Sequence, residues 1–220
     1  MKLVRPVVGL AILLLAVTRQ AAASPIIYTN EATFIGAAGT LGFESFEALA
    51  ATNSVSPAFT ATLAAFTLAG APQAGVFDEL DYAGTHAIDG KNYVEVEGGP
   101  QQFLTFTFFA PIEAFGLTIT DYGDTPHTGP LTFTTNTGVT GTAAIDGPNA
   151  NDQFFGLIDT TNPFSTLTLA TGVGPFGEPF SVDAVRFSAS APTAVPEPAT
   201  VLLVGSGIVA VMRKRRRVRG

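Results

Sequence analysis

The sequence predicts an all-β fold, an antiparallel β-sandwich with one short N-terminal helix. Three observations support this prediction. Short segments alternate apolar and polar residues with period two, as in residues 102–108 and 115–120. Threonine and phenylalanine, which suit pleated and half-buried surfaces, fill most of these segments. Glycine, proline, asparagine and aspartate separate the segments, as at 121–124 and 146–149.

The first 23 residues have the three parts of a secretory signal peptide. A basic start precedes an apolar run at residues 7–17, and Ala21 and Ala23 offer the small side chains that signal peptidase accepts. The run is short for a membrane span, which needs about 20 apolar residues. We therefore expect export by the Sec translocon and cleavage by signal peptidase after Ala23.

Residues 24–188 are long enough for one β-sandwich domain with its own core. A helix is predicted at residues 31–38, because Asn30 is a good N-cap and Gly39 is a good stop. A linker of small residues follows the domain at 189–195. Besides the two strands above, strands are predicted at 93–97, 131–134, 164–169 and 182–187.

Charge is distributed very unevenly along the chain. The formal net charge is −7, but most basic residues lie near the two ends. The region between the ends contains two basic residues, Lys91 and Arg186, against 17 acidic ones, a formal charge of −15. Such a domain repels phosphate backbones, so nucleic acid is excluded as its partner.

Few residues between the ends suggest catalysis. The chain has no cysteine, which excludes disulfides, thiolate metal sites and cysteine nucleophiles. Its two histidines have no partners at ligand spacing, and no nucleophile elbow or phosphate loop occurs. Glu95 and Glu97 share one face of a predicted strand and could be a glycosidase pair. We favour a solvated acidic face for these two residues, and we expect no enzyme.

The C-terminal end combines three features in a fixed order. Pro196, Glu197 and Pro198 precede an apolar stretch at 199–212, which six basic residues follow: Arg213, Lys214, Arg215, Arg216, Arg217 and Arg219. As a helix the stretch would rise about 21 Å, short of a hydrocarbon core of about 30 Å unless the bilayer thins locally. The cations would keep that end in the cytoplasm. A core helix and a nucleic-acid-binding tail are the alternatives.

This order of features resembles the PEP-CTERM sorting signal, which would occupy residues 196–220. The resemblance implies that an exosortase, a membrane-embedded processing enzyme of bacteria that make exopolysaccharide, recognises the tail. The apolar helix would span the membrane and hold the chain there transiently. The two prolines would keep the segment around Glu197 extended and accessible.

Parts of the body are similar to the ectodomains of PEP-CTERM proteins. The similar segments are 28–39 with 42–44 near the start, and 154–158, 163–164 and 180–187 near the end. This similarity implies a jelly-roll-like sandwich of the carbohydrate-binding-module type. In calcium-bearing jelly rolls an acidic residue near the first strand often meets an aspartate of the last strand. Glu44 and Asp183 occupy positions that resemble this arrangement, so calcium is a candidate cofactor.

These observations lead to three hypotheses about function. The first is a non-enzymatic cell-surface or matrix protein, exported through the inner membrane, processed by an exosortase and associated with exopolysaccharide or a biofilm. The second is a carbohydrate-binding protein that uses phenylalanine or tyrosine platforms. The third, least favoured, is a secreted hydrolase acting on glycans. A glycan array distinguishes the first two, and assays on polysaccharides test the third.

Overall fold

The computed structural model describes residues 24–71, 73–78, 86–97, 102–122, 129–145, 152–172 and 179–189. The predicted signal peptide, all but the first residue of the predicted linker and the whole predicted sorting signal lie outside these ranges.

The described residues form one α-helix, α1 (Glu31–Ala38), and twelve β-strands. The strands are β1 (Ile26–Tyr28), β2 (Gly42–Glu44), β3 (Phe59–Thr62), β4 (Phe66–Ala71), β5 (Ala74–Asp78), β6 (Asn92–Val96), β7 (Phe103–Thr120), β8 (Leu131–Thr135), β9 (Thr140–Ala144), β10 (Gln153–Ile158), β11 (Phe164–Ala170) and β12 (Phe180–Ala189).

The long strand β7 joins two sheets. Its first half pairs with β4 and β11, and its second half pairs with β12 and β10. We call the first set the front sheet, in the order β3-β4-β7-β11-β8-β9. The back sheet has the order β5-β6-β12-β7-β10-β1, with β2 beside the end of β12. Every pairing within these described strands is antiparallel, which confirms the predicted sheet type.

The two sheets pack face to face around one apolar core. Ring contacts cross between them: Phe133 of β8 lies 4.8 Å from Phe155 of β10, and Phe66 of β4 lies 5.9 Å from Phe187 of β12. Both distances, between ring centroids, are in the range that favours tilted or edge-to-face aromatic pairs. The sandwich architecture is therefore confirmed, while the jelly-roll assignment stays a prediction.

Helix α1 has the predicted bounds and caps. The Thr33 backbone N–H donates to Asn30 Oδ1 at 3.0 Å, which satisfies one of the amide groups that a helix leaves free at its start. Gly39 has a φ of 75° and donates its N–H to the Ile35 carbonyl at 3.2 Å. A positive φ of this kind suits glycine and ends the helix.

Strand β7 differs from the prediction, because 102–108 and 115–120 belong to one strand of 18 residues. The sequence between them contains Pro111, which usually interrupts a central strand. The β11 ladder shifts its register here, with Thr166 opposite Thr107 and Phe164 opposite Ile112. Pro111 thus lies at a ladder irregularity where β7 passes from one sheet to the other, and such positions tolerate proline.

Candidate functional site on the outer face of the back sheet

The back sheet has a second buried face, opposite the core. We call it the outer face and define it by six residues: Tyr93, Glu95, Thr118, Thr120, Ser181 and Asp183. All six are buried. The residues that alternate with them along the same strands, such as Val94 and Val182, face the apolar core on the other side of the sheet. The sheet is therefore covered on both sides, and its second covered side is rich in polar atoms.

Residues 86–90 lie over part of the outer face. Thr120 Oγ1 donates to the carbonyl of His86 at 3.3 Å, and the imidazole of His86 lies 5.5 Å from the Tyr93 ring. The backbone N–H groups of Ile88 and Asp89 donate to Asp183 Oδ2 at 2.7 and 2.8 Å. Asp183 is thus the anchor that holds this segment on the sheet.

Asp183 also shapes its own strand. Its Oδ1 accepts the N–H of Ala184 at 2.6 Å, and Ala184 has a φ of 54°, which is uncommon for alanine. The register of β12 against β7 shifts between Asp183 and Arg186. Burial raises the pKa of Asp183 to about 6, while its three backbone hydrogen bonds act in the opposite direction. The aspartate that interrupts this apolar strand therefore stabilises a bulge and a loop.

Glu44, the other residue predicted to bind calcium, lies opposite Val185 in the register of β2 and β12. Its Oε1 accepts the N–H of Phe46 at 2.8 Å, at a position where Phe46 has a φ of 62°. Among the described residues, no three His, Cys, Asp or Glu side chains are placed to hold a metal ion together. Calcium binding by Glu44 and Asp183 stays a prediction.

That prediction is tested by thermal unfolding of the purified ectodomain. If Glu44 and Asp183 share an ion, calcium at a hundredfold excess over Kd stabilises the fold by about 2.7 kcal/mol. The melting temperature then rises with calcium and falls with chelator. Asp183→Asn keeps the size of the side chain and removes its charge. An equal calcium response in the wild type and in Asp183→Asn excludes this site, and an equal response to magnesium indicates general charge screening.

The prediction of a solvated acidic face was wrong for Glu95. Its side chain is only 2% exposed, whereas Glu97, on the same strand face, is half-buried. Burial first, and then the nearby carboxylates of Glu97 and Asp121, raises the pKa of Glu95 from 4.5 to about 7. Amphipathic alternation at 93–97 looks the same whether the polar side is exposed to water or covered, so this burial could not be predicted from the sequence.

Ser181 is a residue of this site that the sequence analysis missed. It lies opposite Glu95 on β6 and opposite Thr120 on β7, so three polar residues form one row across three strands. Among the described residues, neither Glu95 Oε2 nor Ser181 Oγ has a hydrogen-bond partner. Most buried polar atoms have one, so the row is exceptional. A glycosidase pair needs both carboxyl groups in reach of a substrate, and the burial of Glu95 opposes that alternative.

Two surface grooves lie elsewhere on the sandwich. One, of about 440 Å³, is lined by Phe59, by four hydroxyl-bearing residues and by six aliphatic ones. The hydroxyl-bearing residues are Thr52, Ser54, Ser56 and Thr60. The other, of about 520 Å³, is mainly apolar and is lined by residues that include Leu41, Phe109 and Phe187. Phe109 is the most exposed phenylalanine of the described chain, at 61%.

None of the helices within the described ranges is long and apolar enough to cross a membrane. The span predicted at 199–212 lies outside those ranges.

Three solved structures resemble the fold at low sequence identity. The K2 cleaved adhesin domain of Lys-gingipain aligns at a TM-score of 0.47 and 9% identity, over 68% of this chain and 98% of that one. A family 35 carbohydrate binding module from Clostridium thermocellum aligns at 0.33 and 16%, over 76% and 100%. The catalytic domain of a GH87 alpha-1,3-glucanase aligns at 0.36 and 19%, over 72% and 30%. At these scores we draw no functional inference from them.

A search of the curated proteins finds no match. Residues 194–217, in contrast, match the PEP-CTERM protein-sorting motif. The match includes Glu197 and the cations from Arg213 to Arg217, and it begins two residues before the predicted start. It confirms the resemblance inferred from the tail, and it implies an exosortase as processing partner and a surface or extracellular location. This chain carries a PEP-CTERM sorting signal at its C-terminal end.

Proposed function

We propose that this chain is an exported, non-enzymatic β-sandwich protein that an exosortase processes at its C-terminal signal. In this proposal signal peptidase removes residues 1–23, the apolar stretch at 199–212 holds the precursor in the inner membrane, and processing near Pro196 to Pro198 releases it. The ectodomain then functions at the cell surface or in an exopolysaccharide matrix.

The observation that carries the proposal is the sorting motif at 194–217. Its position relative to the fold supports the same conclusion. The last described strand, β12, ends at Ala189, so every described strand precedes the motif in the chain. Cleavage near Glu197 would therefore leave the core and every described strand intact. A sorting signal needs this separation, because an enzyme in the membrane must reach the cleavage segment without unfolding the domain.

Loss of either polar part of the signal is expected to block sorting. Glu197→Ala removes the acidic residue between the prolines, and deletion of 213–219 removes the cations that fix the orientation of the span. Full-length precursor should then accumulate in the membrane fraction or be misrouted. Fractionation and mass measurement check this, with Glu178→Ala as a control that removes one carboxylate from the ectodomain. Normal processing of both signal variants contradicts the proposal.

Carbohydrate binding is the alternative function, and the hydroxyl-lined groove beside Phe59 is the feature that favours it. An aromatic ring with several hydroxyl groups and no charged side chain among the lining residues suits a neutral sugar. A glycan array with the purified ectodomain separates the two proposals, and an assay for polysaccharide hydrolysis tests the remaining enzymatic alternative.

A further inference from the structure

The paired strands β5 and β6 form one edge of the back sheet, and we call them the edge ribbon. β6 pairs with β12 over a short ladder. Its three residue pairs are Val94–Val182, Glu95–Ser181 and Val96–Phe180. On the other side of the ribbon, the irregular segment 52–56 bonds to β5 in the described chain, through backbone groups and through the Asn53 side chain, which bonds to Asp78. Asn92, at the start of β6, bonds to Glu47 Oε1 and to the Leu49 carbonyl. The ladder that attaches the ribbon to β12 itself centres on Glu95 and Ser181.

This central pair is polar and buried. Glu95 is 2% exposed, Ser181 is fully buried, and one oxygen of each has no hydrogen-bond partner among the described residues. Removing an ionised carboxylate from water without a compensating partner costs far more free energy than burying the neutral acid. The docked ribbon therefore favours the protonated form of Glu95, whereas an open ribbon, in contact with water, does not.

The charged and titratable groups around Glu95 reinforce this preference. Glu97 lies just after β6, Asp121 lies just after β7, and both oppose the ionisation of Glu95. On β12 the nearest titratable group is Asp183, on β5 it is Asp78 at the strand end, and the covering segment contributes His86 and Asp89. The described residues include only two basic side chains, Lys91 and Arg186. Arg186 forms an ion pair with Glu31 at 2.5 Å, and Lys91 lies at the opposite end of β6.

We propose that the edge ribbon is a proton-dependent element of the sandwich: it is docked on β12 while the Glu95 carboxyl carries a proton, and it opens more often once that carboxyl is ionised. Burial of a carboxyl that faces further carboxylates and an unpartnered hydroxyl produces this behaviour.

The direction of the pH dependence follows from the two states of Glu95. Its pKa is about 7 in the docked ribbon and near the ordinary 4.5 in an open, hydrated one. Between these values the docked state binds more protons, so docking is strongest below pH 4.5 and weakens as the pH rises towards 7. Because docking is coupled to the binding of one proton, the docking equilibrium changes by up to about tenfold per pH unit in this window and by little above it.

The test is hydrogen exchange measured by mass spectrometry on the full chain in mild detergent, from pH 5 to pH 8. Protection of the amides in 74–78 and 92–96, corrected for intrinsic exchange, should fall by up to about tenfold per pH unit relative to Glu95→Gln. Glu95→Gln keeps the size of the side chain and cannot ionise, so its ribbon should stay protected. Glu97→Gln is the matched control, because it changes a half-buried carboxyl of the same strand and should keep the pH dependence.

Parallel pH profiles in the wild type and in Glu95→Gln would overturn the proposal. So would an equal loss of protection in β8 and β11, because Glu95 would then act on the whole domain. If Glu95→Gln does not fold, the wild-type profile alone tests the proposal, since the ribbon must lose protection at a lower pH than β8 and β11 do. We expect every one of these variants to be sorted normally. The outcome of this test is therefore independent of the proposed function.

Discussion

Replacing Phe106 by alanine is expected to lower the free energy of unfolding of the ectodomain by about 3–5 kcal/mol. Phe106 is fully buried in the first half of β7, where its ring lies 5.6 Å from Phe66 and 5.0 Å from Phe115. Truncation removes the buried ring and leaves a cavity that the rigid sheets cannot fill. The loss is a large part of the roughly 5–15 kcal/mol that stabilises a domain.

Phe109→Ala is the matched control, since it is the same change on the same strand at a residue that is 61% exposed. It should alter stability by no more than about 0.5 kcal/mol. Denaturant unfolding followed by circular dichroism measures both variants. Similar losses in the two variants would mean that the orientation of residues along β7 is different from the one described.

The residues of β7 that face the core could also be predicted from the sequence. The period-two alternation at 102–108 puts Leu104, Phe106 and Phe108 on one face, and all three are buried in the core. The helix was predicted with its bounds for a similar reason: Asn30 and Gly39 act on their own neighbours, so local sequence contains the information. Local chemistry and period-two alternation located five of the twelve described strands: β6, β7, β8, β11 and β12.

The parts that were not predicted depend on contacts between distant segments. The continuity of β7 through Pro111 arises because different strands pair with its two halves, which local sequence does not show. The burial of Glu95 and the role of Ser181 depend on the register of β6 against β12, about 85 residues apart in the chain. Asp183 interrupts an apolar strand, a feature visible in the sequence, but its hydrogen bonds to Ile88 and Asp89 cannot be predicted from that interruption.

Helix α1 packs on the back sheet at a socket formed by two glycines, in addition to the ion pair between Glu31 and Arg186. Gly116 of β7 and Gly156 of β10 lie opposite each other in register, and the fully buried ring of Phe34 lies on both. A Cβ atom added at Gly156 would lie 2.7 Å from Phe34 Cδ2, and one added at Gly116 would lie 2.9 Å from Phe34 Cε1. The paired glycines are therefore needed for close approach of the ring to the sheet.

The expected result is a strong coupling between the ring and the socket. Phe34→Ala should cost about 3–5 kcal/mol of unfolding free energy, because it empties a buried site. Gly156→Ala should cost about 1–3 kcal/mol, because the added methyl group displaces the ring. In the double variant the methyl group no longer meets Phe34, although the half-buried Phe154 ring, with its Cε1 at 2.9 Å, still has to shift. The two losses should therefore be less than additive, with a coupling energy of about 1 kcal/mol or more. Denaturant unfolding of the four proteins completes the cycle.

Gly36→Ala provides the control for the glycine substitution. Gly36 lies within α1, and a Cβ atom added there meets nothing within 4 Å. Alanine has the higher helix propensity, so this variant should be more stable by about 0.5–1 kcal/mol. The same chemical change should thus have opposite signs at two glycines, because aromatic rings, those of Phe34 and Phe154, block Gly156 and nothing blocks Gly36. Additive losses for Phe34→Ala and Gly156→Ala would show that the ring does not occupy the socket, and helix α1 would then need another attachment to the sheet.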